Sequence, residues 1–310
     1  MTSLIFFEHI SYHLSAPHAR ARAKKNAKAA FCGGRQVLGG CIFAGICYNP
    51  WAALERGKLQ KKLHLSGMDS RAAELAKQRG LGLEITEFCW APRLEQSDAM
   101  ALARRQAQGA ARLWLHAPFA ELSPCAIDPL VRDAALRRFR QAIGTAEALG
   151  VTRVVVHGGF IPLVYFPEWF VEQSVVFWRE LLADVPADMV LAVENVMEPG
   201  PDMLVQIAAQ VNDPRLGLCL DVGHANTSVS KTPPMEWIAP MAPWLRHVHL
   251  HNNAGDWDLH DPLGKGNIPM EQVLDTLLET CPAATYTIEN QDCAPSLDWL
   301  ARQGYLEEQA

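Results

Sequence analysis

The chain has 310 residues, 49% of them hydrophobic, and a formal net charge of −6. That apolar content supports a large buried core and excludes disorder for the bulk of the chain, and no apolar run reaches the ~18 residues expected of a membrane span. The charge is uneven. Residues 1–58 carry 8 Lys/Arg against 2 Asp/Glu, whereas residues 59–310 carry 20 Lys/Arg against 32 Asp/Glu and hold 8 of the 11 histidines. An acidic, histidine-rich body argues against nucleic acid as a partner and suits the binding of cations.

The first 58 residues show no regular pattern. A basic run, Arg20 to Lys28, precedes an apolar stretch, Gln36 to Tyr48. This is the outline of a signal peptide, but the charge lies far from Met1 and no small-x-small cleavage site follows Tyr48. Leu38-Gly39-Gly40-Cys41 resembles a lipoprotein box set before most of the apolar run, where it should follow it. The segment reads as an N-terminal extension, disordered or weakly docked, such as a start codon placed too far upstream would produce. A functional basic arm is the alternative. A chain beginning near Leu59 is expected to keep full activity and melting temperature. The 8 cysteines include no CxxC pair, which reads as reduced thiols in a cytoplasmic protein.

From residue 59 onward short β-rich runs alternate with helical stretches. The pattern predicts eight strands: 62–66, 81–88, 112–117, 153–157, 189–195, 216–222, 247–251 and 284–289. Most are nearly continuous apolar segments, as strands buried on both faces should be. Between them Asp128-Pro129 opens a helix running towards Gly150, and Pro201-Asp202 opens another. Eight strands alternating with helices over ~250 residues predict a closed (β/α)8 TIM barrel. A doubly wound sheet is the alternative, but neither GxGxxG nor GxxxxGK[ST] occurs.

The informative feature is what ends each run. Strand three ends in His116, strand four in His157, strand five in Glu194, strand six in Asp221 and strand eight in Glu289. Strand seven contains His247, His249 and His251, which share one face under period-2 alternation, so periodicity does not choose among them. In a barrel the strand C-termini meet at one mouth, and the active site lies there. Any one of these histidines is more often a satisfied core residue than a ligand, and His64 is read that way. Six consecutive strands delivering imidazoles and carboxylates to one volume are another matter. Converging carboxylates resist ionisation unless a cation sits between them. Mixed imidazole and carboxylate donors favour zinc or manganese over magnesium.

These residues resemble the sugar phosphate isomerase/epimerase superfamily, the xylose-isomerase-like TIM barrels that also include endonuclease IV. The matching stretches are Leu115-His116-Ala117-Pro118, Val156-His157-Gly158, Val193-Glu194-Asn195, Asp221-Val222-Gly223-His224, Val248-His249-Leu250, Asp258 to Gly266 and Glu289. By resemblance, a single-metal epimerase would hold its ion with Glu194, Asp221, His249 and Glu289, and His224 would contact substrate. An endonuclease-IV-like protein would hold three zinc ions by adding His116, His157, His224, Asp258 and His260. Asn252 stands where the family often has Asp.

Two chemistries follow from one pocket. In an isomerase or epimerase of a sugar, sugar phosphate or related polyol or keto acid, a Mn2+ or Zn2+ ion would stabilise an enediolate, and the resemblance implies that Glu194 and Glu289 lie on opposite sides of the reacting carbon and remove and return the proton. In a multinuclear zinc phosphodiesterase, one to three ions activate water and bind the phosphoryl group; the acidic body favours a small molecule over DNA for that reaction. A barrel that binds metal or ligand without catalysis is the third reading. No GxSxG or HExxH occurs. Glu87, Lys265 and Trp90 are further substrate-binding candidates. Trp90, Phe119, Tyr165, Phe166 and Trp169 can line a sugar, although helix packing explains them better. A homo-oligomer is compatible with the sequence.

Overall fold

A computed structural model describes residues 56–307. The readings made of residues 1–55 lie outside the described residues. Strand and helix alternate strictly: β1 Leu63–Ser66, α1 Ala72–Arg79, β2 Gly82–Ile85, α2 Ser97–Ala107, β3 Leu113–His116, α3 Pro129–Leu149, β4 Arg153–His157, α4 Pro167–Leu182, β5 Val190–Glu194, α5 Asp202–Val211, β6 Leu216–Asp221, α6 Pro234–Met241, β7 Leu245–Leu250, α7 Met270–Thr280, β8 Thr285–Ile288 and α8 Ala294–Arg302. Neighbouring strands are parallel, and β1 closes on β8 through Leu63↔Tyr286, so the sheet is a TIM barrel. No helix of the described residues is long and apolar enough to cross a membrane.

Local chemistry sets the element ends. Asp128 caps α3 by accepting from the Leu130 amide, Pro129 occupies the first turn, and Gly150 ends the helix in the left-handed region at φ 70°. Strand two is shorter than its apolar run: the Cys89 amide bonds back to Thr86 O, so the chain turns at 86–89 and leaves Glu87 off the strand.

Alternation then divides the side chains between two cores. Leu83, Leu115, Val154, Leu191, Leu218 and Val248 face the helices in the main core. Trp114, Val155, Ala192 and Cys219 form a small apolar cluster of their own inside the barrel. The remaining interior is polar: His64, Glu84, His247 and Thr287 are all buried. This inner layer is the floor of the site.

Three residues before the expected boundary, Arg56 is tied to the C-terminal helices. Arg56 bonds Asp275 on α7 at 2.5 and 2.9 Å, Glu271 at 2.7 Å and Gln303 O at 3.0 Å. Its guanidinium lies 4.7 Å from the Tyr305 ring centroid. Arg56 is therefore docked on α7 and Tyr305.

Candidate metal centre

The strand ends converge as alternation requires. His116, His157, Glu194 and Asp221 are the last residues of β3, β4, β5 and β6, His249 is the next-to-last of β7, and Glu289 follows β8 directly. His224 opens a short 3-10 turn after β6, and Asp258 and His260 lie in the loop after β7.

Glu194 is the hub. Its Oε2 lies 3.3 Å from His116 Nε2 and 3.1 Å from His157 Nε2. Its Oε1 lies 3.2 Å from His249 Nδ1 and 3.3 Å from His224 Nδ1. His249 Nδ1 also faces Glu289 Oε2 at 3.3 Å and Asp221 Oδ2 at 3.7 Å. On the far side Asp258 Oδ2 is 3.2 Å from His224 Nε2 and 3.1 Å from His260 Nε2.

Four groups of potential ligand atoms result, each within 4.8 Å: His116, His157 and Glu194; Glu194, Asp221, His249 and Glu289; His224, His251, Asp258 and His260; and Glu84, His116, His249 and Glu289. The first two share Glu194. All nine residues that the family resemblance implies fall in these groups.

Backbone carbonyls orient the rings. His116 Nδ1 lies 2.9 Å from Ala117 O, His224 Nδ1 2.9 Å from Asn195 O and His260 Nδ1 2.9 Å from Glu289 O. With Nδ1 donating, each Nε2 keeps a lone pair for a cation. His260 pays for its placement with a φ of 48°, a conformation that non-glycine residues adopt rarely and mostly where position matters. Asn195 ties β5 to β6, donating to Asp221 O and accepting from Asp221 N.

The electrostatics describe a site that calls for positive charge. Burial pushes the Glu194 carboxyl up, but the charges of His249 and His157 and hydrogen bonds from His116 and His157 outweigh it and hold the group well below the usual range. Burial also raises Glu289, and His249 and His260 bring it down to about 2. Asp258 is lowered in the same way by His224 and His260. The imidazoles mirror this. Burial depresses His224, yet Asp221 and Asp258 lift it well above its ordinary value. His249 is raised against burial by Cys219, Glu289, Glu84 and Glu194, and His260 rises to about 9. Among the three histidines on this rim of strand ends, burial wins only at His157, which is lowered. Protons on imidazoles thus balance carboxylates that a divalent cation would balance better.

The residues fit such a cation. Glu194, Asp221 and Glu289 are buried carboxylates within one group, an arrangement costly without a cation. Buried His251 Nδ1 has no hydrogen-bond partner. Nitrogen and oxygen donors together suit zinc or manganese.

The other candidates stand apart. Glu87 is taken by Arg93 in a close ion pair, and it belongs to none of the four groups. Lys265 is exposed and bonded to Asp261 at 2.7 Å. Trp90 is 58% exposed in the loop after β2. Phe119, expected to pack a helix, instead lies on His157 with ring centroids 4.6 Å apart. Phe166 is exposed at the start of α4, whereas Phe170 and Phe177 are buried. Trp169 donates to Cys125 O, and the Tyr165 hydroxyl meets Ser123.

Sequence reasoning missed three buried groups. Glu84, a lone carboxylate in the run Gly82–Ile85, is the β2 acid that points inward. His251 joins the third group, and alternation with His249 was the signal for it. Glu198 lies buried beyond β5, where burial lifts its carboxyl to about 7.

Comparison with known proteins agrees with this geometry. A family model described as xylose isomerase-like TIM barrel matches residues 73–303. The uncharacterized protein MJ1311 of Methanocaldococcus jannaschii is 30% identical over 188 residues, covering 57% of this chain and 64% of that protein. The chain thus spans just under two thirds of that relative's length. Among solved structures, a D-tagatose 3-epimerase-like protein superposes with a TM-score of 0.67 at 24% identity, covering 79% of this chain and 97% of the other. The TTHB071 protein from Thermus thermophilus, solved after soaking with ZnCl2, superposes with a TM-score of 0.62 at 29% identity, covering 78% and 97%. Matched over most of its length by the family model and closed as a barrel with its polar strand ends gathered at one mouth, the chain belongs to the xylose isomerase-like TIM-barrel family.

Proposed function

We propose that the protein is a metal-dependent isomerase or epimerase acting on a sugar, a sugar phosphate or a related polyol or keto acid. The observation that carries this reading is the buried group of Glu194, Asp221, His249 and Glu289, whose ligand atoms lie within 4.8 Å of one another. A divalent cation, manganese or zinc, would supply Lewis-acid stabilisation of the negative charge that develops on substrate oxygens. The protein's own groups supply the rest. Glu289, held at about 2, is ionised at neutral pH and can take a proton from the carbon next to a carbonyl. Glu194 can return a proton and so invert the centre or move the carbonyl. His224, 11% exposed between Glu194 and Asp258, is placed to hold a substrate hydroxyl. The Phe119 ring on His157 offers an apolar wall for the sugar. A small-molecule carbohydrate partner and a reducing, cytoplasmic setting suit this chemistry and the free thiols of Cys89, Cys125, Cys219, Cys281 and Cys293.

The test is proton exchange in deuterated water with candidate ketoses. Glu289→Gln is expected to abolish deuterium entry into the substrate while metal binding only weakens. Deuterium entering at an unchanged rate would remove Glu289 from the reaction.

A second reading, a multinuclear zinc phosphodiesterase, is favoured by one specific observation: two further ligand groups flank the first, His116 and His157 on Glu194, and His224, His251, Asp258 and His260 beyond. The zinc-soaked relative makes zinc the first metal to try. A small phosphodiester suits the acidic body better than DNA does, since Lys265, the one lysine within the motifs, is already paired with Asp261. Elemental analysis of purified protein separates the readings. About one ion per chain supports the epimerase, and about three zinc ions per chain support phosphoester chemistry.

A further inference from the structure

We infer that Glu84 is a positioning residue that holds the His249 imidazole with Nδ1 turned toward the metal group. The inference rests on the proposed metal centre but concerns a residue outside its ligand set. Glu84 sits on β2 and is fully buried. Its two carboxylate oxygens lie 3.1 and 3.2 Å from His249 Nε2. The other edge of the same ring, Nδ1, faces Glu194, Glu289 and Asp221 at 3.2, 3.3 and 3.7 Å. A neutral imidazole carries one N–H and one lone pair. With Nε2–H donating to Glu84, the lone pair falls on Nδ1, where a cation would need it.

Glu84 is itself braced. Thr287 Oγ1 donates to its Oε2 at 2.6 Å, and His247 Nε2 lies 3.1 Å from the same oxygen. His247 is pinned in turn by Thr285 Oγ1 at 2.7 Å and by stacking on Trp114, with centroids 4.0 Å apart. These contacts come from β2, β3, β7 and β8, so four strands fix one imidazole. The carboxylate thus selects the tautomer and the rotamer of His249 before any cation arrives.

Glu84 also lies within 4.8 Å of His116, His249 and Glu289 through one ligand atom each. A direct role as ligand to a deeper ion is therefore the competing assignment, and the experiment must separate the two. Metal-free wild-type protein and Glu84→Gln are titrated with ZnCl2 by calorimetry, with circular dichroism as the folding control. The amide keeps the shape and one acceptor but loses the charge. The expected result is a roughly 10–100-fold weaker zinc affinity with the same number of ions bound. Affinity unchanged in a folded variant overturns the inference and leaves the metal centre standing. Loss of one ion per chain assigns Glu84 as a ligand and also overturns it. Absence of zinc binding by the wild type overturns the metal centre and the inference together.

If Glu84→Gln does not fold, the wild type decides alone. Nitrogen-15 NMR of histidine-labelled, zinc-loaded protein should show His249 protonated at Nε2 and metal-bound at Nδ1. The reverse assignment overturns the inference.

Discussion

His251 lies almost flat on His260, with ring centroids 4.1 Å apart and planes 16° from parallel. The two rings reach this contact from the end of β7 and from the loop that follows it, and Asp258 touches both, at 3.6 and 3.1 Å. The stack defines an outer lobe of the centre, which His251 Nε2 joins to the buried group around His249 at 3.0 Å from Asp221 Oδ1.

Whether the two lobes hold metal independently is testable. Asp258→Asn removes the carboxylate shared by His224, His251 and His260 and leaves Glu194, Asp221, His249 and Glu289 untouched. Zinc stoichiometry, measured by elemental analysis, should fall without reaching zero. Complete loss of metal would mean that the lobes are one site.

Glu198 predicts a pH-dependent gain in stability. Burial raises its carboxyl in the folded protein to about 7, above its unfolded value of 4.5. A carboxyl raised by folding costs stability as pH climbs from the unfolded value through the folded one. In metal-free protein Glu198→Gln should therefore raise the melting temperature at pH 8, by up to about 3 kcal/mol of stability, and change it little at pH 4.5. The amide can still accept from the Val196 amide, which now bonds the carboxylate at 2.7 Å. An equal gain at both pH values would point to packing and away from ionisation.

Arg56 carries a cluster of contacts to α7 and Tyr305. A chain starting at Leu59 loses the ion pairs to Glu271 and Asp275 and the contact over Tyr305, in a side chain only 18% exposed. Compared with a chain starting at Arg56, it should be about 1–2 kcal/mol less stable, which in a domain of this size lowers the melting temperature by roughly 2–8 °C. Metal content should not change, because the strand ends lie elsewhere. Equal melting curves would show that the Arg56 contacts add no stability.

The architecture and most of the centre were legible because they rest on strong periodic signals. An apolar strand ending in a lone His, Asp or Glu, as at Val156-His157 or Leu220-Asp221, states both the strand and a candidate ligand at its C-terminal end. Glu84 was harder. It lies mid-strand, where a carboxylate in an apolar run has no positional meaning until its cross-barrel partners are known, and His249 and Thr287 are 165 and 203 residues away. Glu87 drew the eye as the more terminal acid, but the chain turns before it and Arg93 claims it. The departure at Asn252 has a local cause. Its Nδ2 donates to Leu263 O at 2.9 Å while its Oδ1 accepts from the Asn253 and Ile268 amides. An aspartate has no donor for the first of these bonds, and no pattern along the chain predicts that need.

Gly223 carries a consequence for how this centre could change over time. A Cβ placed on Gly223 would lie 1.8 Å from Cε1 of His251. The glycine has an ordinary backbone conformation, and the three atoms nearest to such a side chain all belong to the His251 ring. Positions 223 and 251 are therefore epistatic: any larger residue at the first becomes tolerable only after the second has shrunk. A descendant that abandons the outer lobe by replacing His251 is freed to diversify the turn that presents His224, whereas one that keeps His251 is held to glycine there.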